Sequence, residues 1–145
     1  MTRVSGRRRI VICAERLSTL KQIRQIIGRQ ADILVAGDLA TVTAVLRLYN
    51  RIDAFITETT SPRSLAMSAL SLIRQARPGC SRILVVEQDV AQGVYDAVRD
   101  QTVTHLQFLP LRPDDLLQCL GLTVPTQSSN EKPGSTPSAK KTLAL

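Results

Sequence analysis

The chain has 145 residues, 43% of them hydrophobic, which suffices for one globular domain with its own core and is too short for two domains of ordinary size. No run approaches the roughly 18 to 20 apolar residues of a membrane span, and no signal peptide is recognisable, so we expect a cytoplasmic protein. The net charge is +7, and Cys13, Cys80 and Cys119 are too scattered for a disulfide framework or a paired-ligand zinc site.

The excess positive charge is concentrated at the two ends of the chain. Residues 1–9 hold four arginines and no acidic residue, and we interpret them as a flexible basic arm. Residues 123–145 hold three lysines and one glutamate among many Ser, Thr, Pro and Gly, which predicts a disordered tail or the start of a linker. Aromatic residues that stack on bases are scarce, with two Phe, two Tyr and no Trp, so a protein is a better expected partner than nucleic acid.

Residues 10–122 alternate between short apolar runs rich in β-branched residues and segments of helical periodicity. The apolar runs predict strands buried on both faces at 9–13, 32–37, 53–57, 82–86 and 105–109. The periodic segments predict helices at 20–27, 39–49, 64–77, 90–99 and 113–120. This alternation predicts an α/β fold, a doubly wound five-stranded parallel sheet flanked by five helices.

The predicted helices carry their own start and stop signals. Ser18 and Asp38 are typical N-cap residues for the first and second helices, and Pro113 suits the first turn of the last helix. Pro78–Gly79 ends the third helix. The inward face of that helix is expected to consist of Leu65, Ala69, Leu72, Ile73 and Ala76.

Acidic residues follow three of the predicted strands. Glu15 follows the first strand, Glu58 follows the third at the start of a loop, and Glu87 follows the fourth. Because the carboxyl ends of parallel strands meet at one edge of the sheet, we expect these carboxylates to converge there and to repel one another.

The order and spacing of four segments resemble the receiver domain of bacterial response regulators over roughly residues 9–120. These segments are "RIVICAER", "DAFITETTSP", "LSLIRQARPG" and "FLPLRPDDLLQCL". The resemblance implies a flavodoxin-like receiver fold and a cis peptide bond before Pro110. It also implies a partner surface formed by the fourth helix, fifth strand and fifth helix, where Tyr95 lies and where Leu106 replaces the family's switching aromatic residue.

The same resemblance implies a degenerate phosphorylation pocket. Glu58 stands where the family has its phosphorylated aspartate, and Ala14 replaces the first residue of an acidic pair of which Glu15 keeps the charge. Glu87 stands in place of a threonine or serine, and Leu109 in place of the lysine that contacts the phosphoryl group. Magnesium binding at Glu15 and Glu58 would be weak, and no other cofactor is expected.

These departures favour a phosphorylation-independent pseudo-receiver, a protein-interaction module in bacterial signal transduction or transcription regulation. It would act through a protein partner or a homodimer rather than as an enzyme, and the sole histidine, His105, suits a structural role better than a catalytic one. Two alternatives stay open: an atypical phosphotransfer receiver of a two-component system, and a nucleic-acid-binding regulator that uses its basic ends. Whether Glu58 mimics a phosphorylated aspartate is also left open.

Overall fold

The computed structural model describes residues 7–59, 65–88 and 95–125. Strands and helices alternate along these residues. The strands are β1 (Arg8–Cys13), β2 (Ala31–Val35), β3 (Ala54–Thr59), β4 (Ser81–Val86) and β5 (His105–Phe108). The helices are α1 (Leu17–Ile27), α2 (Leu39–Leu48), α3 (Leu65–Ala76), α4 (Tyr95–Arg99) and α5 (Pro113–Cys119). Most of the expected tail lies outside the described part of the chain, and so do residues 1–6 of the expected arm.

The five strands form one parallel sheet in the order β2-β1-β3-β4-β5. Successive residues of a strand point to opposite faces, so each central strand supplies two cores. Phe55 joins the apolar cluster that includes residues of α2, α3 and α4, whereas Ile56 joins the cluster that includes residues of α1 and α5. Both side chains are completely buried. The doubly wound α/β architecture predicted from the sequence is therefore confirmed.

Three strands end at different residues from those predicted, and of these β5 differs least, ending at Phe108 instead of Leu109. β3 continues through Thr59, so Glu58 lies within the strand and not at the start of a loop. β2 ends at Val35, two residues before the glycine that we expected to terminate it. The shift in β3 matters for function because it places the Glu58 side chain inside the protein.

The start signals of the helices are confirmed in two cases and wrong in one. Asp38 Oδ1 accepts hydrogen bonds from the Thr41 backbone N–H (2.8 Å) and hydroxyl (2.7 Å), and Pro113 occupies the first turn of α5. Ser18, by contrast, is not an N-cap, because α1 begins at Leu17, before Ser18, and Arg16 is the N-cap residue. The peptide bond between Leu109 and Pro110 is cis, as the resemblance implied.

The buried face of α3 is rotated from the predicted one. Its buried residues are Ala66, Ala69, Leu70 and Ile73. Ala69 and Ile73 are buried as predicted, whereas Leu65 and Ala76 are exposed and Leu72 is only partly buried. Of the fourth predicted helix, the structure describes Tyr95–Arg99, and residues 89–94 lie outside the described ranges.

Arginines hold several chain segments together through backbone carbonyls. Arg82 is 4% exposed, and its guanidinium donates to the carbonyls of Thr102 (3.0 Å), Cys80 (2.9 Å) and Gln101 (2.9 Å). Arg77 likewise donates to carbonyls near the carboxyl end of α2, including that of Leu46 at 2.8 Å. These contacts satisfy carbonyl groups that the helices and strands leave unpaired.

The cysteines are free, as their scattered spacing predicted. Cys13 and Cys80 are buried, and Cys119 is partly buried. Burial raises the pKa of all three thiols. The pKa of Cys80 is raised to about 12. Among the described helices, none combines the length and the apolar character needed to cross a membrane.

Candidate functional site

The Glu58 carboxylate is buried at the carboxyl edge of the sheet, and both of its oxygens accept hydrogen bonds. Oε1 accepts from the Arg16 backbone N–H at 2.9 Å. Oε2 accepts from Arg16 Nε and from the Thr19 hydroxyl, each at 2.7 Å. The Glu58 side chain has no exposed surface, and Thr19 is buried as well. An ionised carboxylate can remain at such a depth only when it is paired in this way.

Arg16 links two carboxylates of this edge. Its Nη2 lies 2.6 Å from Glu58 Oε2 in an ion-pair contact, and its Nη1 lies 3.4 Å from Glu87 Oε1. Hydrogen bonding to Glu58 raises the pKa of the Arg16 guanidinium, and the charges of Glu58, Glu87 and Glu15 act in the same direction. The expected repulsion among the three carboxylates is thus offset by a cation that we did not place there from the sequence.

Arg16 reaches this position because it is the N-cap residue of α1. Its backbone is extended, with φ −112° and ψ 136°, and its side chain makes no capping hydrogen bond within the helix. A cation at a helix N-terminus is opposed by the helix dipole, whereas an anion there is favoured. Glu58, arriving from β3, supplies that anion. An arginine close to the amino end of a predicted helix is the sequence signal that could have indicated an acidic partner.

The remaining positions of the predicted pocket have separate environments. Ala14 and Leu109 are partly buried and pack against the apolar cluster shared with α1 and α5. Glu15 is exposed, and the Glu87 side chain is 48% exposed. The pocket therefore has an apolar wall at Leu109, where the resemblance would have placed a lysine.

These residues do not fit a magnesium site of the kind that the resemblance to receiver domains implies. Magnesium is held by carboxylate, carbonyl and water oxygens, and Ala14 offers no side-chain oxygen. The Arg16 guanidinium already lies against Glu58, where a second cation would be repelled. Within the described ranges, no group of three or more His, Cys, Asp or Glu side chains is arranged to hold a metal ion.

The predicted partner surface is described only in part. Leu106 is partly buried and packs, with Phe108, against the apolar cluster shared with α3 and α4. A groove of about 400 Å³ runs beside β5 and α5 and is lined by residues that include Leu106, Leu109 and Arg112. The side chain of Tyr95 lies outside the described part of the structure. His105 is exposed, with its Nδ1 3.0 Å from the hydroxyl of Thr104.

Solved structures decide which fold this is. The signal receiver domain of an HD domain-containing protein from Pseudomonas fluorescens Pf-5 superposes with a TM-score of 0.68, at 19% identity, over 79% of this chain and 92% of that chain. The chain has the flavodoxin-like receiver fold. A response regulator receiver domain protein from Clostridium thermocellum gives a TM-score of 0.67 at 17% identity, over 79% of this chain and 91% of that chain.

The fold also occurs in a solved chain described as an adenylate cyclase from Rhodopirellula baltica. That chain superposes with a TM-score of 0.69 at 11% identity, over 79% of this chain and 85% of that one. No protein-family model matches the sequence, and no curated protein matches it. The likeness is therefore one of fold, and function has to be argued from the site.

Proposed function

We propose that this protein is a pseudo-receiver, a phosphorylation-independent interaction module in signal transduction or transcription regulation. The observation that supports the proposal is the set of hydrogen bonds that Arg16 and Thr19 donate to the Glu58 carboxylate. A carboxylate acts as a phosphoryl acceptor only when one oxygen can approach the phosphorus atom. Both oxygens of Glu58 are already bonded within the protein, and its side chain is inaccessible to solvent.

The neighbouring positions support the same proposal. A transferred phosphoryl group carries negative charge on its oxygens and needs cations and donors around it. Leu109 supplies neither, and Glu87 would add negative charge on the opposite side. Arg16 is a cation of this edge, but its guanidinium is turned toward Glu58.

The Arg16–Glu58 pair also bears on whether the domain switches. Glu58 places a negative charge at the acceptor position, and the pair ties α1 to β3 permanently, with no covalent modification required. Leu106 packs against the core and has no ring to swing between two sites. We therefore propose one standing conformation, no cofactor, a cytoplasmic location and no enzymatic reaction.

The proposed partner is a protein or a second copy of the chain, bound through α4, β5 and α5. Support comes from the groove beside β5, an edge strand whose outer side has no neighbouring strand in the sheet. A folded Tyr95→Ala, Leu106→Ala double variant should associate more weakly in sedimentation or pull-down measurements. Unchanged association would move the interface elsewhere, with the exposed side of α1 around Lys21 as the next place to test.

The test of the phosphorylation claim is treatment with acetyl phosphate, or with beryllofluoride, in the presence of magnesium. We expect no change in intact mass and no shift of backbone resonances near Glu58. The matched variant is Arg16→Ala, which removes the guanidinium contacts of Glu58, leaves its bonds to the backbone N–H and to Thr19, and reports whether the guanidinium alone blocks phosphorylation. A phosphoryl adduct on the unmodified protein would favour the atypical phosphotransfer receiver instead.

A further inference from the structure

The opposite edge of the sheet, where the strands begin, carries two adjoining clefts that share Asn50 and Arg51. One cleft, of about 400 Å³, includes Arg7 and Leu48 in its lining, and the other, of about 420 Å³, includes Arg8. We call the two clefts together the amino-edge surface. The segments that form it are far apart in sequence and come together because the strands are parallel.

The amino-edge surface carries excess positive charge. Its charged lining consists of Arg7, Arg8, Arg9, Arg51, Arg77, Asp32 and Asp53. The five arginines exceed the two aspartates by three positive charges. The pairs Arg7–Asp32 (3.0 Å) and Arg51–Asp53 (3.3 Å) account for both acidic side chains.

Two of these arginines make contacts within the domain, whereas Arg8 has no ion-pair partner among the described residues and could bind a ligand. Arg77 donates to carbonyls at the end of α2, and the Arg9 guanidinium lies 4.5 Å from the centre of the Tyr49 ring. Arg8 is exposed and makes no ion pair within the described residues. Its guanidinium lies against Gly121, where an added Cβ would come within 2.9 Å of Arg8 Nη2. The Arg8 guanidinium thus lies beside the carboxyl end of α5, where it is exposed to solvent.

An exposed apolar side chain lies among these arginines. Leu48, the last residue of α2, is 76% exposed, more than any other large hydrophobic side chain in the described ranges. A nucleic-acid backbone would leave Leu48 without a partner. Base stacking is also disfavoured here, because Arg9 covers the Tyr49 ring and Phe55 is fully buried.

We propose that the amino-edge surface binds an acidic segment of a partner protein in which carboxylates flank an apolar side chain. Carboxylates would pair with the Arg8 guanidinium and with the Nη groups of Arg7, whose Nε already donates to Asp32 at 3.0 Å. The planar donors of arginine match carboxylate geometry. The apolar side chain would cover Leu48 and remove it from water. This surface lies at the other end of the sheet from Glu58, so the proposal stands whether or not Glu58 accepts a phosphoryl group.

The test is fluorescence anisotropy with two labelled peptides, Glu-Glu-Leu-Glu-Glu and Glu-Glu-Ser-Glu-Glu, and a labelled DNA duplex. An Arg7→Gln, Arg8→Gln double variant should bind both peptides about tenfold more weakly. Leu48→Ser should weaken binding of the leucine peptide to the level of the serine peptide and leave the serine peptide unaffected. Thermal melts establish that each variant is folded.

Arg24→Gln is the matched control, because it removes an exposed arginine that lines neither cleft and should change peptide affinity less than about twofold. An equal loss of peptide affinity in that control would show that only the net charge of the protein matters, and it would overturn the proposal. Absence of saturable binding of the leucine peptide would overturn it as well. Tighter binding of the duplex, lost in the double variant, would reassign the surface to nucleic acid.

Discussion

At the scale of single residues, Arg16 stabilises the buried Glu58 carboxylate at the carboxyl edge of the sheet. It provides two hydrogen bonds and an ion-pair contact to a carboxylate that has no exposed surface. Its own side chain is 41% exposed, so water can replace part of what a substitution removes. The value of the pair thus lies mainly in relieving the desolvation of Glu58.

We predict that Arg16→Met lowers the free energy of unfolding by about 2 kcal/mol. This is less than the cost of breaking a fully buried ion pair, because the Arg16 side chain is partly solvated. Urea denaturation followed by circular dichroism measures the change. The control is Lys21→Met, which removes an exposed cation from the same helix and should stay within about 0.5 kcal/mol. Equal effects of the two substitutions would show that the Glu58 pair adds nothing.

At the scale of elements, the helix starts show how a cap can come from nearby or from far away. Asp38 caps α2 from within its own segment, and the Thr41 hydroxyl and N–H hold the pKa of the Asp38 carboxyl below its ordinary value of 3.8. Glu58 approaches the start of α1 across 42 residues of chain. The first arrangement was visible in the sequence, and the second was not.

The lowered pKa of Asp38 predicts a dependence of stability on pH. The folded state holds the ionised form, so this contribution is complete above the ordinary carboxyl pKa and is lost as pH falls through the lower, folded value. Asp38→Ala should therefore melt at a lower temperature than the unmodified protein at neutral pH, with the difference shrinking below about pH 3. Asp38→Asn, which keeps a capping oxygen without the charge, is the control. A difference that grows on acidification would contradict the assignment.

The strands were predictable because their signal is local, whereas other features depend on distant residues. A short β-branched run identifies a strand whatever lies elsewhere in the chain. The end of β3 was missed because the burial of Glu58 depends on Arg16. The inward face of α3 was only partly predicted because apolar residues occur on most sides of "LAMSALSLIRQA", so helical periodicity alone does not select one stripe.

At the scale of the whole molecule, the fold gives its two edges different electrostatic characters. The carboxyl edge gathers Glu15, Glu58 and Glu87 around Arg16, and the amino edge gathers arginines around Leu48. From the sequence, the central part of the chain is nearly neutral and its ends are basic. The charge count was correct, but the clustering of Arg7 and Arg8 with Arg51 follows from topology and could not be read from composition.

The reaction rate of buried Cys80 with a thiol reagent can be used to measure local unfolding of the sheet. Burial raises the pKa of the Cys80 thiol to about 12, so the thiol is almost entirely protonated at pH 8, and 3% of the residue is exposed. Reaction with a disulfide reagent then requires the start of β4 to separate from its neighbours, so the labelling rate follows the fraction of open molecules. We expect partly buried Cys119 to react well before Cys80 in a mass-resolved time course. Reaction of Cys80 as early as Cys119 would mean that this end of the sheet opens readily.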